Sequence, residues 1–345
     1  MAAGTLAPQD HHGAALLRRV RDDVEPRMRA AIAELPVGLR HIGGYHLGWW
    51  DEQGTAQHGS GGKAVRAALV LAASRALGGD GAALTGAVAV ELVHNFTLLH
   101  DDVMDLDAVR RHRPTVWTVF GTADAILAGD ALQALAVRVL ARDPHPAAMP
   151  AMDSLAGCMI ELCEGQSADC AFEQRMDITV GQCEAMAAGK TGALLGSACA
   201  IGALYAGAAP AAVAALDAFG RRLGLAFQLV DDLLGIWGDP AVTGKPAGAD
   251  LAARKKSLPV VAALTSGTAA GEELATLYHG DPTVDGADVA RLADLVERAG
   301  GRAWAQSQAV DHSTAALVHL RAAVPDDERA HELLTLANML TRRIR

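Results

Sequence analysis

Asp101 and Asp105 close an apolar run, Glu91-Leu92-Val93-His94-Asn95-Phe96-Thr97-Leu98-Leu99-His100. On a helix, residues four apart share one face, so the two carboxylates stand a turn apart. Like charges so placed repel, and the negative dipole end of the helix disfavours them further. A hard divalent cation relieves both costs, and carboxylate oxygens are the ligands Mg²⁺ prefers. The apolar run predicts that this face looks inward; a solvated acidic helix end is the alternative. A second pair, Asp231-Asp232, ends another apolar stretch, Ala226-Phe227-Gln228-Leu229-Val230. Mg²⁺ held by few protein carboxylates completes its shell with water and phosphate, so a phosphate or diphosphate is the expected co-ligand.

The cations agree with an anionic ligand. Lys63 and Arg66 follow Gly61-Gly62, Arg110 and Arg111 follow Asp105, Lys190 and Lys245 punctuate uncharged segments, and Lys255 sits in Arg254-Lys255-Lys256. Each alone reads as a solvated side chain; together they make a cage for two anions. Nucleotide loops do not fit. Gly189-Lys190-Thr191 ends like a Walker A loop, but Glu184 stands where its first Gly is required, and Gln57 does the same before Gly62-Lys63. No pattern for a covalent nucleophile or a dinucleotide is present.

These residues must be positioned by helices. Apolar residues recur at helical spacing, as in Leu17, Val20, Val24, Met28 and Ile32, or Leu292, Leu295, Val296 and Ala299. The pattern predicts helices near 14–35, 63–78, 84–105, 121–142, 150–174, 179–206, 211–236, 257–266, 284–299, 302–322 and 326–343. That is an all-α fold. No linker or repeat divides the chain, so one domain is expected over 14–345, after a short flexible stretch over 1–13. The chain has 345 residues, 51% of them hydrophobic, which excludes disorder. A formal charge of -10 has the wrong sign for gripping nucleic acid through its phosphates. The five cysteines, Cys158, Cys163, Cys170, Cys183 and Cys199, are odd in number and lack a CxxC pair, so they read as buried free thiols in a reducing cytosol. The N-terminus shows no secretory pattern. The uncharged stretch Thr191–Leu216 is long enough to span a bilayer, but its Ala, Gly, Ser and Cys content and Pro210 predict a helix buried in a bundle, then a turn.

As an ordered set, these residues resemble the trans-isoprenyl diphosphate synthases, or polyprenyl synthetases. The set is Gly62-Lys63-x-x-Arg66, His94, Asp101-Asp102-x-x-Asp105, Arg110-Arg111, Lys190-Thr191, Phe227-Gln228-x-x-Asp231-Asp232, Gly244-Lys245-Pro246 and Lys255. The resemblance implies a helical bundle of the isoprenoid synthase type with a central active-site cavity faced by both aspartate motifs, usually a homodimer. It implies head-to-tail prenyl transfer from an allylic diphosphate to isopentenyl diphosphate. Lys63, Arg66, His94 and Arg111 then look like the isopentenyl diphosphate site. Asp101, Asp105 and Asp231 look like ligands of Mg²⁺, three ions per site, with Asp102 and Asp232 in support. Arg110, Lys190, Thr191, Gln228, Lys245 and Lys255 look like contacts to the allylic diphosphate.

Three positions depart from the pattern. Gly235 stands where many relatives carry the third Asp of the second motif, and Ala64 and Ala67 replace an Arg and a Pro. The aromatic-rich segment His41–Trp50 reads as a loop packed on the bundle; it is also similar to a segment of polyprenyl transferases packaged in encapsulin shells, which would make a shell protein a partner. Phe96, five residues before Asp101, with an uninterrupted DDxxD, resembles the pattern of geranylgeranyl diphosphate synthases. A class I terpene cyclase on the same fold, or an inactive regulatory subunit, are the competing readings. An NDxxSxxxE-like motif and an aromatic cavity, which a cyclase should carry, are not evident.

Overall fold

The computed structural model describes residues 8–57, 62–240, 247–278 and 286–341. It is all-α as expected. In chain order the helices are α1 (Pro8–Ala33), α2 (Val37–His46), α3 (Val65–Ala76) and α4 (Leu84–Met104). A two-stranded hairpin follows, β1 (Val109–Arg110) and β2 (Arg113–Pro114), then α5 (Val116–Phe120), α6 (Thr122–Ala141) and α7 (Ala148–Glu173). Next come α8 (Val180–Ala187), a π turn (Ala188–Gly192), α9 (Ala193–Tyr205) and α10 (Pro210–Trp237). The chain ends in α11 (Ala249–Ala252), α12 (Leu258–Leu264), α13 (Ala269–Tyr278), α14 (Gly286–Arg298), α15 (Gly301–Ala323) and α16 (His331–Thr341).

Contacts divide the chain into two compact units. One draws on Met1–Met159, Ser197–Asp217 and Arg321–Leu336, the other on Ile160–Gly196, Ala218–Leu320 and Ala337–Arg345. In the first, α4 packs against α3 and α6 and is apolar nearly all round, with Ala87, Val90, Leu92, Val93, Phe96 and Leu99 buried. A helix of that character belongs at the centre of a core. The α1 stripe Leu17, Val20, Val24, Met28 and Ile32 is buried, as its spacing predicts. The second unit has one core around Cys183, Leu229, Val230, Leu258 and Val261, and another around Ile236, Leu251, Val260, Leu274 and Leu295.

Helix α8 starts on a capping box in which Thr179 and Gln182 satisfy each other's backbone donors. Through the π turn it continues to Tyr205. The Val180–Tyr205 run is apolar and long enough to cross a membrane, yet 78% of its most apolar window is buried in the fold, as in a core helix.

The structure corrects the reading of His41–Trp50 as a loop. Residues through His46 form α2, and the chain then turns so that the Trp50 indole lies on Gly44, where any Cβ would collide with the ring. Gly43-Gly44 masks the helix in sequence because glycine is a poor helix former, while tertiary packing demands it. Not every thiol is buried either: Cys163 is exposed, although all five are free.

Candidate active site

In the first unit, cations converge on the middle and end of α4. Arg66, in the first turn of α3, places Nη1 3.1 Å from His94 Nε2. Its Nε is buried without a hydrogen-bond partner among the described residues. Arg111 reaches the same region from the hairpin, whose two central residues, Arg111 and His112, both have positive φ, at 51° and 62°. That is the backbone of a type I′ turn, costly for side chains of this kind, so the surroundings must hold it. Arg113 does so: Nη1 and Nη2 donate to the carbonyls of Tyr45 and Trp50, each at 3.0 Å, and its guanidinium stacks 4.4 Å from the Tyr45 ring. The aromatic segment is thus the anchor of the arginine-bearing hairpin. Gly62 is the counterpart on the α3 side, because a Cβ there would stand 2.6 Å from Arg111 Nη2.

This gathering is electrostatically uneasy. Burial, then the neighbouring Arg66 and Arg111, hold His94 well below its ordinary pKa. Burial, Arg111 and Arg110 push His46 down to about 3, although its Nε2 lies 3.1 Å from Asn95 Oδ1. Arg66 is itself lowered, chiefly by burial. Glu91, buried and accepting a 3.0 Å bond from the Ala67 amide, is its main internal counter-charge. A bound anion would relieve the repulsion.

At the end of α4 the acidic residues divide. Asp102 is buried, its Oδ1 accepting a 2.6 Å bond from Arg110 Nε, while Oδ2 is buried without a hydrogen-bond partner among the described residues. Asp101 is partly exposed and Asp105, the C-cap, is exposed. The expectation that the Asp101–Asp105 face looks inward is therefore corrected. Adjacent helical residues point about 100° apart, so the face that buries Asp102 does not also bury Asp101 and Asp105.

The second unit repeats the division. Asp231 is exposed, whereas Asp232 is buried with both oxygens engaged. Oδ1 accepts from Gln228 Nε2 at 2.8 Å and Oδ2 from the Leu258 amide at 2.9 Å, at the start of α12. Burial pushes its pKa up to about 7, opposed by the charge of Lys255. Thr191 Oγ1 donates to Gln228 Oε1 at 2.8 Å and extends the chain of bonds. Lys190 lies in the π turn and donates to Asp169 Oδ2 at 2.6 Å. Such turns inside α-helices recur at functional sites, because the extra residue re-aims side chains. Lys255 is pulled down by burial, but Asp232, Asp250, Asp169 and Asp231 outweigh this and hold it above its ordinary value. Its neighbour Lys256 instead caps α7, donating to the carbonyls of Phe172 and Glu173 at 2.7 and 3.0 Å.

The structure thus gathers Arg66, His94, Arg110 and Arg111 with Asp101, Asp102 and Asp105 in one unit, and Lys190, Thr191, Gln228, Asp231, Asp232 and Lys255 in the other. Lys63 is exposed at the entrance to α3. Lys245 lies outside the described residues. Sequence reasoning missed Asp169, His46, Glu91 and Arg113; Asp169 and Glu91 each interrupt an apolar helix with a carboxylate, the one signal available.

Comparison with known proteins decides the family. Residues 49–296 match the family described as polyprenyl synthetase. This chain belongs to that family. It is 52% identical over 333 residues to a geranylgeranyl diphosphate synthase of Mycobacterium tuberculosis, covering 96% of this chain and 94% of that one. It is also 46% identical over 332 residues to a (2E,6E)-farnesyl diphosphate synthase of the same species, covering 95% and 89%. A crystal structure of a polyprenyl synthetase from Streptomyces coelicolor A3(2) superposes with a TM-score of 0.91 at 45% identity, covering 94% of this chain and 98% of that one. A geranylgeranyl pyrophosphate synthase from Corynebacterium glutamicum, complexed with isoprenyl diphosphate and magnesium, gives 0.81 at 27% identity, covering 95% and 98%. The synthetase is accordingly a trans-prenyl diphosphate synthase, a prenyltransferase of a Mg²⁺-dependent family. Hard carboxylate oxygens of the kind that ion takes stand unburied at Asp101 and Asp105 in the first unit and at Asp231 in the second. Among the described residues no three His, Cys, Asp or Glu side chains converge on one point.

The buried histidines make the synthetase's stability fall with acid. Both have folded-state pKa values below the unfolded one, so below about pH 6.5 the unfolded chain binds protons that the folded chain refuses. The stability is complete above that pH and is lost on acidification, by up to about 1.4 kcal/mol per pH unit for each histidine. Urea melts between pH 7.5 and 5 should show the decline, and His46→Gln should flatten it. An unchanged slope in that variant would contradict the assignment.

Proposed function

We propose that the synthetase condenses isopentenyl diphosphate with an allylic diphosphate to make geranylgeranyl diphosphate, with Asp101, Asp105 and Asp231 as its metal-facing carboxylates. The observation that carries the site assignment is the same division in both acidic pairs: one carboxylate reaches the surface, and its neighbour is buried and tied. Mg²⁺ held there would supply positive charge to the departing diphosphate. Lys190, Lys255 and Arg110 supply further positive charge, while Arg66, Arg111 and His94 hold the second substrate. The allylic C–O bond breaks with its electron pair on the diphosphate, the alkene of isopentenyl diphosphate attacks the cation, and the released diphosphate takes a proton from the condensed cation, whose C–H electron pair becomes the new double bond. Asp102 and Asp232 position rather than bind metal, since each is buried and bonded to a neighbouring group.

The twenty-carbon product is supported by the higher identity to the relative named for it and by Phe96. That ring lies five residues before Asp101, about 7.5 Å lower by helical rise. It is buried, 4% exposed, and edge-on to His100 at 5.6 Å. One isoprene unit is about as long as a 5.4 Å helical turn, so depth below the carboxylates counts carbons. Incubating the purified chain with Mg²⁺, isopentenyl diphosphate and allylic primers should yield geranylgeranyl diphosphate. Phe96→Ala should shift products to twenty-five carbons or more. A fifteen-carbon end product from the parent would refute the length, and an unchanged distribution in the folded variant would refute the role of Phe96.

A further inference from the structure

The hairpin that carries Arg111 has two residues in each strand, Val109–Arg110 and Arg113–Pro114. A two-stranded ribbon is marginal by itself, and both of its turn residues, Arg111 and His112, lie in the left-handed region. The charge of Arg111 also bears on Arg66, and like charges repel. Something outside the hairpin must hold it in place. Arg110 and Arg113 are partners across the ribbon, and each is tied to a different helix. Arg110 Nε donates to Asp102 Oδ1 on α4 at 2.6 Å. Arg113 instead closes the C-terminal end of α2, where its fork donates to the carbonyls of Tyr45 and Trp50. A cation is favoured there by the helix dipole as well.

Tyr45 makes that hold two-sided. Its hydroxyl donates to the Pro114 carbonyl at 2.8 Å, and its ring lies between the Arg113 guanidinium, at 4.4 Å, and the Phe120 ring on α5, at 5.2 Å. The next side chain points elsewhere, because successive residues of a helix diverge by about 100°. His46 Nε2 meets Asn95 Oδ1 on α4 at 3.1 Å, and Asn95 Nδ2 donates to the Glu91 carbonyl at 2.8 Å. That orientation makes Oδ1 the acceptor, so His46 Nε2 carries the proton. Asn95 is buried and adjoins His94, to which Arg66 is bonded. One turn of α2 therefore grips the hairpin behind Arg111 with one residue and α4 beside His94 with the next.

We propose that Tyr45, His46 and Arg113 are positioning residues of the isopentenyl diphosphate site, and that the last turn of α2 holds its two walls together before the anion arrives. The inference rests on the reading of Arg66, Arg111 and His94 as the residues that hold that substrate. Cations gathered in one place move apart unless a scaffold prevents it, and the ligand must then supply the free energy of regathering them. Arg113 is satisfied by carbonyls rather than by a carboxylate, so this anchor brings no negative charge to compete with the anion. The three side chains act through Arg111 and His94, without touching the substrate.

The test is calorimetric titration of the full chain with isopentenyl diphosphate, together with steady-state kinetics in both substrates and thermal melts. Arg113→Met removes two charge-assisted bonds, so it should weaken isopentenyl diphosphate binding and raise its KM by about tenfold or more. The KM of the allylic substrate and kcat should stay within about twofold of the parent. Tyr45→Phe, which deletes one hydroxyl and keeps the ring, should weaken binding about threefold. His46→Leu should lose about tenfold, whereas His46→Gln, which keeps a donor in place of Nε2, should bind within about twofold of the parent. A role in packing alone would lower the melting temperature and leave the isopentenyl diphosphate affinity unchanged, or raise both KM values together; either result in folded variants overturns the inference. Arg111→Gln is the control for the site itself. If it binds like the parent, the reading of the site fails, and this inference with it. If it loses affinity while Arg113→Met and His46→Leu keep the parent's, the inference alone is overturned. Where Arg113→Met does not fold, the contrast at position 46 decides, and equal affinities for His46→Leu and His46→Gln overturn the proposal.

Discussion

Replacing both Asp101 and Asp105 by Asn should abolish turnover, with a loss of a thousandfold or more, while the protein keeps its fold. A loss of that size corresponds to about 4 kcal/mol of transition-state stabilisation, within the range that metal and oxyanion interactions supply. The fold should survive because neither carboxylate is buried: Asp105 is an exposed C-cap and Asp101 is partly exposed. Removing two like charges from the negative end of a helix relieves repulsion as well. Circular dichroism and melting of the variant should match or exceed the parent. Turnover within twofold of the parent would remove these residues from the metal site. The contrast with Asp102 sharpens the test, since that side chain is 2% exposed and paired to Arg110, and its loss should cost stability as well as rate.

Gly165→Ala should damage the site from a distance. A single methyl group on α7 would overlap the backbone of the π turn, meeting Lys190 N, Gly189 C at 2.9 Å and Met186 O at 3.0 Å. Gly189 makes the reciprocal approach, since its Cβ would stand 2.8 Å from the Glu161 carbonyl. Backbone cannot step aside as a flexible side chain does, so α7 and the turn must separate. Overpacking of this kind costs about 1–3 kcal/mol. The same separation pulls Lys190 away from Asp169, whose 2.6 Å bond sets the direction of the ammonium group. Turnover should fall at least tenfold, with a lower melting temperature, and the deficit should appear more strongly for the allylic substrate. A variant with the parent's melting temperature and rate would mean that the close crossing is not needed.

Much of this molecule is legible in one dimension. The 3.6-residue periodicity locates α4, α6, α7, α10 and α15 to within two residues at each end, because long amphipathic or wholly apolar helices write their burial into spacing; α1 instead begins at Pro8, six residues before the expected start and inside the stretch expected to be flexible. The short helices α2, α5, α11 and α13 escape, since a few turns carry too little pattern and α2 contains two glycines. The chemistry is legible too, as acidic pairs ending apolar helices and cations in uncharged segments are costly unless they meet a ligand. Which member of each pair faces that ligand is a different matter. Sequence spacing marks Asp101 and Asp105 as one face, but whether that face is buried depends on what packs against α4. Arg110 returning through the hairpin turns Asp102 inward, and Gln228 and the Leu258 amide do the same for Asp232. Residues contributed by remote segments, such as Asp169 to Lys190 and Arg113 to the hairpin, leave no local signature. Their roles come from packing between elements far apart in the chain, which a local period cannot encode.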